Sequence, residues 1–357
     1  MKEIFDIIIL THVPSSYKVN LYNEMAKTKK IFVVFISINS TGRTSDFINS
    51  EFNFEYKILN NKGYEERNRF SSIIKLFSIF ISKNFSYLIV NGWDMLEFWA
   101  AIFFPLKSQK GVALESTIFE TKLSLFHKLI KNVFLSQLDF ALPSGVPHAE
   151  ILKKLGFNKP YKIVVGVGIP NIFINGGKVK SEIADNKFLF IGRLVKEKNL
   201  RFLISCFNEL PSFKLHIVGS GPLENNLIKS AGSNIQFTPH VSNDKLIELF
   251  DDVKCLILPS ISETWGLVVE EALYFKKPVL ISSQVGCVED LVEKYSVGLV
   301  FKSNSKESFF DEFHKVNDIE YYRTLINNCN NFDLKNIYNN QIDAYNLEWI
   351  REGNYDN

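Results

Sequence analysis

Apolar runs, each closed by a short polar loop and followed by a helical period, recur along the whole chain. The first, residues 5–10, is interrupted only by Asp6 and ends in Thr11-His12-Val13-Pro14-Ser15-Ser16. A run without alternation fits a parallel strand covered on both faces, with its loop at the carboxyl end. Residues 17–29 read as a helix, 31–36 as a second strand, 70–80 as a Phe- and Ile-rich helix and 87–90 as a third strand. Residues 162–171 run from a strand into a glycine and proline turn, and the polar stretch 175–187 marks a domain boundary. The pattern then restarts, with strands expected at 188–191, 214–218, 235–237, 254–258 and 278–281. Helices are expected at 200–210, 223–231, 244–250, 267–276 and 289–294. Strands alternating with helices predict an α/β chain of two doubly wound, Rossmann-like domains. The expected domains are residues 1–170 and 171–337, with a terminal helix at about 338–357 packing back onto the first.

In such sheets ligands gather beyond the carboxyl ends of the strands, so the chemistry is sought in those loops. The densest candidate is Pro259-Ser260-Ile261-Ser262-Glu263-Thr264-Trp265-Gly266-Leu267-Val268-Val269-Glu270-Glu271, a loop that runs into a helix. A helix start leaves backbone amides unpaired and favours an anion. If the helix begins near Leu267, Glu271 lies one turn in on the same face, roughly 6 Å along the axis. Glu263, ahead of the helix, points at whatever the anion carries beyond it. Singly, each would be read as a solvated surface charge.

Two neighbouring loops change that balance. Ile191-Gly192-Arg193-Leu194-Val195-Lys196-Glu197-Lys198 follows a strand and brings a bidentate fork, Arg193, and a mobile point charge, Lys198, to the same sheet edge. Gly219-Ser220-Gly221-Pro222-Leu223-Glu224 has two glycines of a dinucleotide fingerprint, but Glu224 stands at the third position and would repel a pyrophosphate. A nicotinamide enzyme is therefore disfavoured, and a turn that lets a nucleobase approach the backbone fits better. No GxxxxGK[ST] and no Asp-x-Asp occurs, so a phosphate-loop NTPase and a metal-chelating sugar transferase are set aside.

Composition adds an asymmetry: residues 1–170 hold 21 Lys and Arg against 14 Asp and Glu, and residues 171–357 hold 20 against 25. The basic half suits an anionic surface or ligand, without the stripe expected of a nucleic-acid binder. Residues 121–134 read as a helix with Leu125, Leu129 and Val133 on one face and Lys128 and Lys131 elsewhere. Either the apolar face meets the core, or it attaches shallowly to an anionic membrane. No apolar stretch is long enough to span a bilayer, and the N-terminal run is too short for a signal peptide. Cys206, Cys255, Cys287 and Cys329, widely spaced and without a CxxC pair, are expected to be reduced structural thiols and imply no zinc. The expected location is cytoplasmic, peripheral at the inner face of the plasma membrane.

Gly192-Arg193-Leu194 with Lys198-Asn199, Val218 to Leu223, Pro259-Ser260 through Glu263, Trp265-Gly266-Leu267, Glu271-Ala272 and Lys277-Pro278-Val279 together resemble the retaining family 4 glycosyltransferases. The resemblance is close over residues 185–300. It implies the GT-B fold, two Rossmann-like domains facing a central cleft, and transfer of a hexose-type sugar from a nucleotide donor to a glycan acceptor with retained configuration. Bacterial surface polysaccharide, O-antigen or capsule, is the expected product. A UDP-sugar is favoured over a GDP-sugar as donor, no cofactor or metal is expected, and the acceptor is expected to be lipid-linked. By this resemblance Arg193, Lys198 and Glu263 are catalytic. Gly192, Gly219, Gly221, Gly266, Leu267, Val268 and Glu271 join them in binding the donor: Arg193 and Lys198 on the diphosphate, the 266–268 backbone on its distal phosphate, Glu271 on the ribose and Glu263 on the sugar. In the first domain the family's glycine pair is replaced by the His12 to Ser16 loop, and its sugar-touching histidine by Glu115. His12, Ser15, Ser16 and Glu115 are therefore the candidates on the acceptor or donor-sugar side, with His12 as readily a mere loop cap. The alternatives are a nucleotide-sugar epimerase and an inactive glycan-binding relative on the same fold.

Overall fold

The computed structural model describes residues 2–39, 51–120, 124–175, 186–241 and 246–356. The first residues of the helices expected at 121 and 244, and most of the expected boundary at 175–187, lie outside these. The chain forms two compact units, residues 1–169 with 337–357, and residues 170–336.

The sheet of the first unit is built from β1 (Glu3–Thr11), β2 (Ile31–Asn39), β3 (Glu55–Gly63), β4 (Lys83–Val90), β5 (Gln109–Leu114) and β6 (Phe140–Pro143). All pairs are parallel in the order β3-β2-β1-β4-β5-β6. Ile7 to Leu10 and Val33 to Ile36 are buried, which explains their unbroken apolar character: helices cover both faces. The chain's last segment belongs to this unit. Trp349 packs edge-on against Phe140 with ring centroids 6.2 Å apart and donates its indole N–H to Ala344 O at 2.8 Å. Asp356 accepts from the Ile163 amide at 2.8 Å.

The helix Leu125–Leu135 corrects the simpler of its two readings. Phe134 and Leu135 anchor it, whereas Leu125, Phe126, Leu129, Ile130 and Val133 face outward, with Leu125 82% exposed. Its predicted stripe is thus not a core face. Nor is Lys131 a wet charge: its ammonium lies 4.0 Å from the centre of the Trp93 ring, and burial pushes its pKa down to about 8.

The second unit repeats the design with β7 (Lys187–Ile191), β8 (Lys214–Val218), β9 (Ile235–Thr238), β10 (Cys255–Leu258), β11 (Val279–Ser282) and β12 (Gly298–Phe301). Its order is β12-β11-β10-β7-β8-β9, again all parallel. Phe188, at the centre, meets the rings of Phe207, Phe213 and Phe313 at 4.8 to 6.0 Å. All four cysteines are buried and unbridged. In each unit the connections reverse direction once, between β1 and β4 and between β7 and β10, and the loops leaving those strands part there.

Candidate donor site at the carboxyl edge of the second sheet

Four loops meet where β7, β8, β10 and β11 end, and backbone hydrogen bonds lock them to one another. Gly192 N donates to Val218 O at 3.0 Å, Leu194 N to Ser220 O at 3.0 Å and Leu223 N to Leu194 O at 3.1 Å. A Cβ on Gly219 would sit 2.0 Å from Gly192 O, and one on Gly221 2.5 Å from Leu194 O. Both glycines are therefore required for the apposition of the β7 and β8 loops, a reason the spacing alone did not reveal.

The β10 loop is fastened on its other sides. Ile261 N donates to Glu197 O at 2.9 Å, Glu263 N to Gln284 O at 3.2 Å, and Gly286 N to Glu263 O at 2.9 Å. The Ser282 hydroxyl donates to Ser260 O, and Cys287 N to Trp265 O at 3.2 Å. The loop carrying Glu263 is thus held at both backbone groups of that residue, and its side chain is aimed by the scaffold.

Side chains complete the arrangement. Lys198, from the β7 loop, makes an ion pair with Glu263, from the β10 loop, across the reversal point of the sheet. The Ser260 hydroxyl donates to the same carboxylate oxygen at 3.3 Å. Arg193 is exposed, and its guanidinium has no partner among the described residues. Beyond Glu263 the chain turns through Gly266, at φ 101° and ψ 60°, into the helix Leu267–Tyr274, which starts where the spacing predicted and has no side-chain cap. A left-handed Gly266 is favoured because a Cβ there would both strain the backbone and approach Val285 Cγ1 to 3.0 Å. The Val269 amide donates to Gly266 O at 2.8 Å, and the amides of Leu267 and Val268 remain for an anion.

Glu270 was passed over in the sequence, since nothing separates it from Glu271 in pattern. In the structure it is fully buried and accepts a hydrogen bond from the indole of Trp265, itself buried. Glu271 is half-buried, with no hydrogen-bond partner among the described residues. Burial first, and the Glu270 carboxyl second, push its pKa up to about 8.

In the first unit the four candidates fall into two separate clusters. Glu115, just past β5, forms an ion pair with the buried Lys18, whose ammonium is held charged by that carboxylate against the cost of burial. Lys18 sits in the helix Ser16–Met25, which Ser15 precedes, and both serines are buried. A lysine within a helical period carries no signal of burial, which is why it went unread. His12, past β1, instead pairs with Asp94, past β4, at 2.9 Å from Nε2 to Oδ2.

Residues 177–332 match the family described as glycosyl transferases group 1. They form a group 1 glycosyltransferase domain. The chain is 28% identical over 151 residues to the uncharacterized glycosyltransferase MJ1178 of Methanocaldococcus jannaschii, covering 41% of this chain and 43% of the relative. The chain is also 29% identical over 177 residues to the O-antigen biosynthesis glycosyltransferase WbnH of Escherichia coli, covering 48% of each. The chain spans less than half the length of these curated relatives. The whole chain is similar in fold to Anabaena HepE, solved with UDP and glucose, at a TM-score of 0.69 and 12% identity over 98% of this chain and 99% of that one. The fold is that of the GT-B glycosyltransferases, two parallel six-stranded sheets each flanked by helices.

The raised value of Glu271 has a consequence for stability. Folded, the carboxyl keeps its proton up to about pH 8, against an ordinary value of 4.5. The folded glycosyltransferase domain therefore binds more protons than the unfolded chain between those values, so stability falls as pH rises through that window. Glu271→Gln is expected to flatten this dependence, measured as melting temperature against pH. An unchanged slope would contradict the assignment.

Proposed function

We propose that the chain is a retaining glycosyltransferase that moves a sugar from a nucleotide diphosphate donor to a hydroxyl of a glycan acceptor in the synthesis of bacterial surface polysaccharide, O-antigen or capsule. The observation that carries this reading is the company of Glu263: a lysine paired to it, an unpartnered exposed arginine on the same edge, and an uncapped helix start behind it. Cations and amides of this kind match a diphosphate, and carboxylates on either side match the hydroxyls of a ribose and a sugar. The donor is a UDP-sugar in preference to a GDP-sugar, a choice supported by the UDP in the similar HepE structure.

The chemistry follows from charge. As the diphosphate enters, Lys198 exchanges Glu263 for a phosphate oxygen, and Glu263 is released to accept from sugar hydroxyls. Arg193 and the amides of residues 266–268 complete the cradle. When the bond from the anomeric carbon to phosphate breaks, negative charge collects on the diphosphate and is met by groups already in position. Countercharge comes from the protein, so no metal is needed for it. Glu271, protonated or not, reaches the ribose and acts in ground state and transition state alike.

Arg193→Ala and Lys198→Ala are each expected to lower activity at limiting donor by about 10- to 150-fold, the equivalent of a charge-assisted bond of roughly 1.5 to 3 kcal/mol, with folding retained. Nucleotide release is the assay: it should depend on a glycan acceptor. Turnover of the nucleotide sugar without release points to an epimerase, and neither reaction points to an inactive binding relative. A variant with unchanged activity removes that residue from the site.

The first unit supports a lipid-linked acceptor at a membrane surface. Its helix Leu125–Leu135 exposes five large apolar side chains, and the helix Arg69–Ser82 exposes Phe70, Ile74 and Ile81. The helix Leu96–Phe103 ties in between them, with Trp99 5.0 Å from Phe134 and Phe103 exposed. No described helix is long and apolar enough to cross a membrane. Shallow insertion of these faces, helped by the basic excess of residues 1–170, suits an anionic leaflet. The chain is expected to pellet with anionic vesicles, less so at high salt, and Leu129→Asp should release it. Equal pelleting with neutral and anionic vesicles, or full binding by the variant, contradicts this.

A further inference from the structure

Leu258 is the last residue of β10 that pairs in register with β11, opposite Ile281, and the two chains meet once more where Glu263 lies opposite Val285. Between those points lie residues 259–262 on one side and 282–284 on the other, so the β10 side carries an extra residue and bulges ahead of Glu263. Pro259, at the start of the bulge, has no N–H with which to continue the ladder. A bulge re-aims the side chain beside it, and its shape holds only if something bonds across it.

Ser282, the last residue of β11 and fully buried, does so. Its hydroxyl donates to Ser260 O and accepts from the Gln284 amide at 3.2 Å, which uses the group in both directions. Each of those partners leads to Glu263. Gln284 O accepts from the Glu263 amide at 3.2 Å. Ser260, also fully buried, donates its own hydroxyl to the Glu263 carboxylate at 3.3 Å. The peptide between Ser260 and Ile261 is held from its far side as well, because Ile261 N donates to Glu197 O at 2.9 Å, next to Lys198. One hydroxyl on β11 thereby joins the backbone around Glu263 to the turn that carries its ion-pair partner.

We propose that Ser282 is a positioning residue for the sugar-transfer step, setting the carboxylate of Glu263 without touching the donor. The proposal deepens the transferase reading above and rests on it for the word donor. Without the hydroxyl, Ser260 O and the Gln284 amide each lose a partner in a place closed to water, and the bulge loses its fixed shape. Glu263 then samples several placements with its own chemistry unaltered. Turnover depends on that placement, since a contact at the reacting sugar must be in position as charge develops. Nucleotide binding does not, because it falls to Arg193, Lys198, Glu271 and the amides of Leu267 and Val268. Among the described residues, Ser282 bonds to none of these.

Ser282→Ala and Ser282→Cys on the full chain test this, the second keeping the volume of the side chain while putting a much weaker donor in place of the hydroxyl. Both should lower turnover about tenfold and leave the affinity for free UDP within about twofold. In the Glu263→Gln background the same substitutions should cost almost nothing more, because a positioning effect needs the group that it positions. A merely structural residue would add its loss to that of Glu263→Gln and weaken UDP in step. A second readout needs no activity. In NMR of chains labelled at the glutamate carboxyl carbons, the resonance that vanishes in Glu263→Gln should be displaced in both Ser282 variants. Unchanged turnover, additive losses, parallel weakening of UDP or an unmoved Glu263 resonance each overturn the assignment. If the unsubstituted chain transfers no sugar and the Glu263 resonance still moves in the variants, the transferase reading falls and the positioning of Glu263 by Ser282 stands.

Discussion

The hydrogen bond from the Trp265 indole to the buried Glu270 carboxyl governs the candidate site. Burying a carboxyl beside a large aromatic ring is tolerable only when the two satisfy each other, and here they do so across the left-handed turn at Gly266. That turn decides where the helix Leu267–Tyr274 starts and so which amides stay unpaired. It also leaves Glu263 in the loop ahead of the helix. Two adjacent glutamates thereby acquire unlike environments: one completes the core, and the other is left half-buried and easily protonated.

Around that turn the rest is parallel-sheet geometry. Both sheets order their strands in the same way, and both reverse once. Loops part at a reversal, and the residues that span the gap are the ones free to meet a ligand. A lysine and a glutamate span it in one unit, a histidine and an aspartate in the other. The first pair is the one proposed above to meet the diphosphate and its sugar. One architecture used twice thus carries two different side-chain pairs at its reversal points.

Strands buried on both faces, such as residues 7–10 and 255–258, are unmistakable in sequence because nothing polar is tolerated in them. β3 was not legible: it is an edge strand, and Glu55, Lys57, Asn60 and Lys62 dilute its apolar signal. β5, β6 and β12 are short, and their apolar runs merge with neighbouring turns. The placement of residues 192–198 and 259–271 was legible because both stretches directly follow apolar strands. The supporting residues were not. Lys18, Arg67, Glu97 and Glu270 act through burial, and a charged residue that tertiary structure buries looks like any other in the sequence. The exposed face of the helix Leu125–Leu135 failed for the opposite reason, since an apolar stripe predicts contact without saying with what.

The division of labour between Glu263 and Glu271 is where this reading is most exposed to test. Steady-state constants for the donor, with direct binding of free UDP, are to be measured for Glu263→Gln and Glu271→Gln. Glu271→Gln should raise the donor Michaelis constant and weaken UDP binding with turnover nearly unchanged, because a ribose contact is the same in ground and transition states. Glu263→Gln should lower turnover while UDP binds undiminished, because its partner is the reacting sugar. If Glu263→Gln weakens UDP binding and Glu271→Gln leaves it intact, the two carboxylates have been assigned to the wrong ends of the donor.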